Sequence, residues 1–181
     1  MSVVTTLPRR PLTVDDLDVM PDDGHRYELI DGTLIVSPGP ELRHQTVQSE
    51  LLRLLFGSCP ADLFVLAAPT DTVLADDTVV QPDALVVRRS DLVGRKLTAT
   101  PLLVVEILSP STRLIDLNLK KARYQRAGVP SYWVVDPDPL RLTAWDLRDG
   151  SYVEVADVGR GDEWTAALPF AVTVRPGSFA D

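Results

Sequence analysis

A carboxylate stands in the middle of an apolar run, Leu102-Leu-Val-Val-Glu-Ile-Leu108. Burying an unpaired charge is costly, so Glu106 either meets water or a structural Arg at a strand end, or is kept there for chemistry. Asp83 adds weight to the second reading. It follows Pro82 and opens another apolar strand, Ala84-Leu-Val-Val87. Two strands joined by a connection of this length can be neighbours in one sheet and present both carboxylates to one cleft. Like charges held close share a proton or a cation. Hard oxygen donors on strands favour Mg²⁺ or Mn²⁺ over zinc.

Asp116, Lys120 and Tyr124 recur at i, i+4 and i+8 and so share one face of a helix. Taken alone, they describe a solvated Asp–Lys pair beside an amphipathic Tyr. Taken with Glu106, they send Lys120 toward the same cleft, to stabilise a phosphate or orient an attacking water. Lys121 is the adjacent alternative, pointing about 100° away around the helix, and the two lysines cannot face the site equally. Glu28, between Tyr27 and Leu29, repeats the misplaced carboxylate on a smaller scale, although an outward residue of an alternating strand accounts for it too. His44 opens a long helix, where a surface or capping role is ordinary.

Composition narrows the chemistry. The 181 residues include one Cys and two His, too few for a structural zinc site or a disulfide framework. An apolar content of 45% excludes disorder, and the length suits one domain spanning 1–181. Net charge is −8, from 18 Lys+Arg against 26 Asp+Glu, which opposes promiscuous nucleic-acid binding. Basic residues nevertheless gather mid-chain, Arg43, Arg53, Arg88, Arg113 and Arg123 among them, which leaves a local basic face open. Neither a secretory signal nor a membrane-spanning run is read from the sequence, so the expectation is a cytoplasmic protein without membrane contact.

These residues need elements to position them. Residues 1–12 read as an extended N-terminal arm, followed by a short helix capped at Thr13. A β-hairpin turns at Asp31-Gly32, where both turn positions want positive φ. Ser37-Pro-Gly-Pro40 leads into a helix over 41–57 with apolar Val47, Leu51, Leu54 and Leu55. Strands are expected at 63–67, 72–74, 79–87, 102–108 and 131–135, with a helix over 113–127 closed by Gly128. A second hairpin turns at Asp149-Gly150, and the tail from Glu163 is weakly patterned. The core is expected over about 13–147.

Several blocks resemble one family in order. They are Tyr27-Glu-Leu-Ile-Asp-Gly32, Ser37-Pro38, Arg43-His44, Gln81-Pro-Asp83, Val104-Val-Glu-Ile-Leu-Ser-Pro-Ser-Thr112, Asp116, Lys120, Tyr124 and Gly128-Val-Pro130 before Tyr132-Trp133. Together they resemble the Uma-two family, bacterial proteins with a restriction-endonuclease-like fold, over about residues 13–147. The resemblance implies membership of the PD-(D/E)XK nuclease superfamily and an α/β (α+β) fold, a mixed β-sheet flanked by helices with an N-terminal β-hairpin. It assigns Asp83 and Glu106 as metal ligands, with the backbone carbonyl of Ile107 as a further ligand. Glu28 matches the upstream acidic residue, and His44, Gln81, Tyr124 and Lys121 are secondary candidates. The Lys usual two positions after the Glu is Leu108 here, and in the family pattern its role falls to Lys120.

The expected function is metal-dependent hydrolysis of phosphodiester bonds by an endonuclease using Mg²⁺ or Mn²⁺, with DNA as partner and a homodimer suited to cutting two strands. The alternative is a nuclease-fold module that binds nucleic acid or a protein without cleaving.

Overall fold

A computed structural model describes residues 10–180 of the chain. Most of the expected N-terminal arm lies outside the described residues. Leu12 lies within them and is buried. Helix α1 (Val14–Leu17) follows, its first turn fixed by the Asp16 carboxylate accepting the Thr13 N–H at 2.7 Å. Strands β1 (Arg26–Ile30) and β2 (Thr33–Ser37) form the expected hairpin, with Asp31 and Gly32 at φ 51° and 73°. Gly32 is required twice over, because an added Cβ would also lie 2.6 Å from the Pro11 side chain.

Helix α2 (Leu42–Ser58) buries Val47, Leu51 and Leu55, and His44 lies on the same face. Strands β3 (Leu63–Ala67), β4 (Thr72–Ala75), β5 (Thr78–Val80) and β6 (Ala84–Arg88) follow. The sequence expectation of one strand over 79–87 is corrected here. Pro82 removes a ladder N–H, and the chain leaves one sheet at Val80 and enters another at Ala84. Asp83 sits on that crossing.

Strand β7 (Leu103–Ile107) is buried along its whole length, as its continuous apolar run requires. The expected helix over 113–127 takes a different form. Ile115–Lys120 is a π-helical turn and continues into helix α3 (Lys121–Arg126). The extra residue in a π-turn widens the helix, a feature concentrated at functional sites. Gly128, at φ 78°, ends α3 and lets the Val129 N–H reach the Tyr124 carbonyl at 3.0 Å. Strands β8 (Ser131–Asp136), β9 (Arg141–Arg148), β10 (Ser151–Val158), β11 (Trp164–Ala166) and β12 (Val172–Val174) complete the fold.

Two sheets matter for the site. The six-stranded sheet runs β10-β9-β8-β7-β6-β3, and only β7 and β8 are parallel, as their joining helical crossover demands. The four-stranded sheet runs β2-β1-β5-β4. On one face of the large sheet α2 packs against Leu103, Val105 and Ile107; on the other, α3 covers Val104, Leu108 and Tyr132. Alternation along β7 turns Glu106 to the α3 face.

The tail reaches into the core despite its weak pattern. Ala166, Phe170, Val172, Val174 and Phe179 join α2 and β7 in one apolar cluster, so the core extends past the expected limit at 147. Strands of three residues are too short to show periodicity. Replacing Phe179, 1% exposed, with Ala should lower the unfolding free energy by about 3–5 kcal/mol. Urea unfolding with an unchanged midpoint would show that the tail is only an appendage.

Candidate active site

The antiparallel pairing of β6 and β7 aligns Ala84 with Val105, which sets Asp83 opposite Glu106 at one end of neighbouring strands. β1 brings Glu28 to the same place from the small sheet. The π-helical turn supplies Asp116 and Lys120. All five side chains are at most 2% exposed. They underlie a cleft of about 360 Å³ walled by Ser37-Pro-Gly-Pro40 on one side and Ser109–Thr112 on the other.

Lys120 is the hub. Its ammonium lies 2.9 Å from Glu28 Oε1, 3.2 Å from Glu106 Oε1 and 3.3 Å from Asp116 Oδ1. Burial opposes its charge, but Glu106, Glu28 and Asp116 raise its pKa and keep it protonated. Glu106 Oε1 also accepts the Tyr124 hydroxyl at 2.6 Å. Burial pushes the Glu106 carboxyl well above its usual range against the pull of Lys120, and burial raises Asp116 as well.

Asp83 has the opposite environment. Burial would raise it, but the hydrogen bond to His44 Nε2, the charge of Arg26 and the Ile107 N–H outweigh that and hold it below its ordinary value. The contacts measure 3.1 Å to His44 Nε2, 3.1 Å to Arg26 Nη2 and 2.7 Å to the Ile107 N–H. Two carboxylates on adjacent strands are thus driven apart in pKa, Asp83 toward the ionised form and Glu106 toward the protonated one.

The donor set fits a hard divalent cation on three observations. Every anionic donor is a carboxylate, which Mg²⁺ and Mn²⁺ prefer. When ionised, Glu28, Asp83, Glu106 and Asp116 outnumber Arg26 and Lys120 by two charges. Asp116 Oδ1 is buried without a well-aligned hydrogen bond, a cost that coordination would remove. Among the described residues no three Asp, Glu, His or Cys side chains converge as a ready-made ligand cluster. The Lys120 ammonium occupies the centre of the group instead.

Of the residues singled out in the sequence, Asp83, Glu106, Glu28, Lys120, Tyr124 and His44 come together. Two secondary expectations change. Lys121 leaves the site, its Nζ resting 3.6 Å from the centre of the Trp145 ring. Gln81 contributes its backbone N–H to Glu28 at 2.8 Å, while its side chain binds Asp71. The Ile107 N–H also enters the site, donating to Asp83 Oδ2 at 2.7 Å. Arg26 was not legible as a site residue, although it precedes Glu28 by two positions and so shares its strand face. His44 likewise carried a signal, the helical spacing to Val47 and Leu51 that buries it.

The basic face left open by the sequence is largely neutralised. Arg53 pairs with Glu50, Lys96 with Asp18, Arg113 with Asp136 and Arg123 with Asp31. Among the described residues no helix is long and apolar enough to cross a membrane.

Comparison with known proteins agrees with this architecture. The model of the Uma2 family, described as "Putative restriction endonuclease", matches residues 14–175. A crystal structure titled as a "putative nuclease" from Anabaena variabilis superposes with a TM-score of 0.76 at 18% identity, covering 93% of this chain and 97% of that one. That likeness is one of fold. No curated protein matches.

Removing the hub tests the electrostatic reading. Lys120→Met strands three buried carboxylates and should cost about 3–5 kcal/mol in urea unfolding. Lys121→Met, which loses only its contact with Trp145, should cost about 1 kcal/mol or less. Equal losses would show that Lys120 is not the hub.

Proposed function

Because the chain belongs to the Uma2 family of restriction-endonuclease-like proteins, we propose that its cleft hydrolyses phosphodiester bonds in DNA with the help of Mg²⁺ or Mn²⁺. The observation that carries this reading is the meeting of Asp83, Glu106 and Lys120, from the crossing that leads into β6, the adjacent β7 and the following π-turn, in one cleft. A surface ion-pair network has no need of so many buried carboxylates, and buried unmatched charge is tolerated mainly where function demands it.

Asp83, Glu106 and the Ile107 carbonyl would hold the cation, with Glu28 beside them. A bound divalent cation supplies Lewis-acid charge to the scissile phosphate and makes water more acidic. The protein supplies the rest. Arg26, His44 and the Ile107 N–H fix the Asp83 carboxylate, so its orientation needs no adjustment when substrate arrives. Tyr124 and Lys120 fix Glu106 through Oε1, which leaves Oε2 without a protein partner among the described residues. Lys120 also carries a permanent positive charge at the cleft floor, where negative charge on the phosphate grows during reaction. Its burial keeps that charge unscreened by solvent. The role falls to this helix because position 108, two after Glu106, is Leu108, which packs with Tyr124 and Val129 in the apolar core. A homodimer, each copy bearing one cleft, would suit cleavage of both strands of a duplex, and the cytoplasm suits a lone Cys59.

Purified protein should nick plasmid or single-stranded DNA when Mg²⁺ or Mn²⁺ is present and stop when EDTA is added. Asp83→Ala, Glu106→Ala and Lys120→Ala should each cut the rate about a hundredfold or more, with circular dichroism confirming that each variant is folded. Tight DNA binding by the wild type without cleavage in either metal would favour the non-cleaving module instead.

A further inference from the structure

Three cleft-lining side chains can carry positive charge: Lys120, His44 and Arg26. Apart from a bound cation, these are the cleft-lining charges that a phosphate entering the cleft could meet. Lys120 is 1% exposed and enclosed by three carboxylates, so its N–H donors point at protein. His44 gives Nε2 to Asp83, and its Nδ1 is sealed from solvent. The exposed cations Arg43 and Arg113, whose neighbours His44 and Thr112 line the cleft, are held by the Pro137 carbonyl and by Asp136.

Arg26 differs from all of these. Its side chain is 20% exposed, at the boundary between the buried cluster and the open cleft. A guanidinium has five N–H donors in a planar fork. One reaches the Gln81 carbonyl at 3.3 Å and one reaches Asp83 Oδ1 at 3.1 Å. The remainder have no protein partner among the described residues. Those two bonds anchor the guanidinium to the crossing between the sheets, and a planar fork with spare donors is the arrangement that recognises phosphate oxygens.

We infer that Arg26 is the phosphate-binding residue of this cleft, contacting a non-bridging oxygen of a nucleotide phosphate while Lys120 stays below as a buried charge. The inference rests on the nuclease reading for the identity of the ligand, but the binding itself can be measured apart from cleavage. It divides labour between Lys120, which the sequence singles out, and Arg26, which it does not, and it assigns Arg26 a role beyond holding Asp83.

The test is calorimetric titration of thymidine 5′-monophosphate into the full chain with Mg²⁺ present, alongside a separate Mg²⁺ titration. With Mg²⁺ raised until each variant is saturated, so that any weakening of the metal through Asp83 is removed from the comparison, Arg26→Gln should weaken the nucleotide roughly 10- to 100-fold, the range of a charge-assisted hydrogen bond. Arg26→Lys, which keeps the charge and loses the fork, should fall between wild type and Arg26→Gln and guards against a folding defect in the latter. Unchanged nucleotide affinity in both variants overturns the inference. So does a nucleotide loss that disappears once each variant is saturated with Mg²⁺, because Arg26 would then act only through Asp83. Wild-type protein that binds the nucleotide through Arg26 yet cleaves no DNA upholds the inference while contradicting the nuclease reading.

Discussion

The structure depends on one electrostatic constraint: four carboxylates and two cations share a desolvated end of a β-sheet, and in their ionised forms their charges do not cancel. Glu28, Asp83, Glu106 and Asp116 come from β1, the sheet crossing, β7 and the π-turn, and each is nearly sealed from water. Isolated, any one of them would be expensive to bury. Together they are tolerable because Lys120 lies within 3.3 Å of three and Arg26 within 3.1 Å of the fourth. The π-turn places Asp116 and Lys120 inward, the crossing at Gln81-Pro82-Asp83 joins the two sheets, and the parallel pairing of β7 and β8 follows from the helical connection that carries Lys120. Fully ionised, the four carboxylates exceed the two cations by two charges; burial answers this by pushing Glu106 and Asp116 toward their protonated forms, and a divalent cation would answer it by drawing them back to carboxylates.

What the sequence disclosed follows from the same physics. Glu106 was legible because a charge inside an apolar strand has few explanations, and Asp83 because a carboxylate opens a second such strand. The hairpin turns were legible because Asp31-Gly32 and Asp149-Gly150 meet a strict requirement for positive φ. Less was legible where long-range contacts decide. Periodicity cannot tell an α-turn from a π-turn over six residues, so 115–120 reads as ordinary helix. The break at Pro82 was hidden within a run of strand-forming residues, because the two halves differ only in the sheet they join. Arg26 looks like an exposed residue at the start of a hairpin until β1 is set beside the crossing. His44 looks like a helix-end residue until the apolar face of α2 is docked.

Charge arithmetic over the whole chain proves a poor guide to the site. The net charge of −8 hides two different populations. Most basic side chains on the surface are already engaged by Asp or Glu partners, which leaves little electrostatic footprint for a long polyanion. Exposed pairs of this kind contribute little stability, but they do remove free cations from the surface. On the proposed reading, recognition falls on the cleft itself, where a bound cation and the guanidinium of Arg26 would face the substrate. Such a protein gains affinity locally, and its binding should vary with salt less steeply than that of a basic DNA-binding surface.

Manganese offers the most direct view of whether Asp83 and Glu106 hold a divalent cation in this cleft. Anomalous diffraction from crystals soaked in Mn²⁺ should show a peak within about 2.0–2.6 Å of carboxylate oxygens from both residues, the span of hard-cation ligand distances. A cleft without an anomalous peak at saturating Mn²⁺, with Lys120 still bridging its three carboxylates, would contradict the account and leave the buried charges as a structural network.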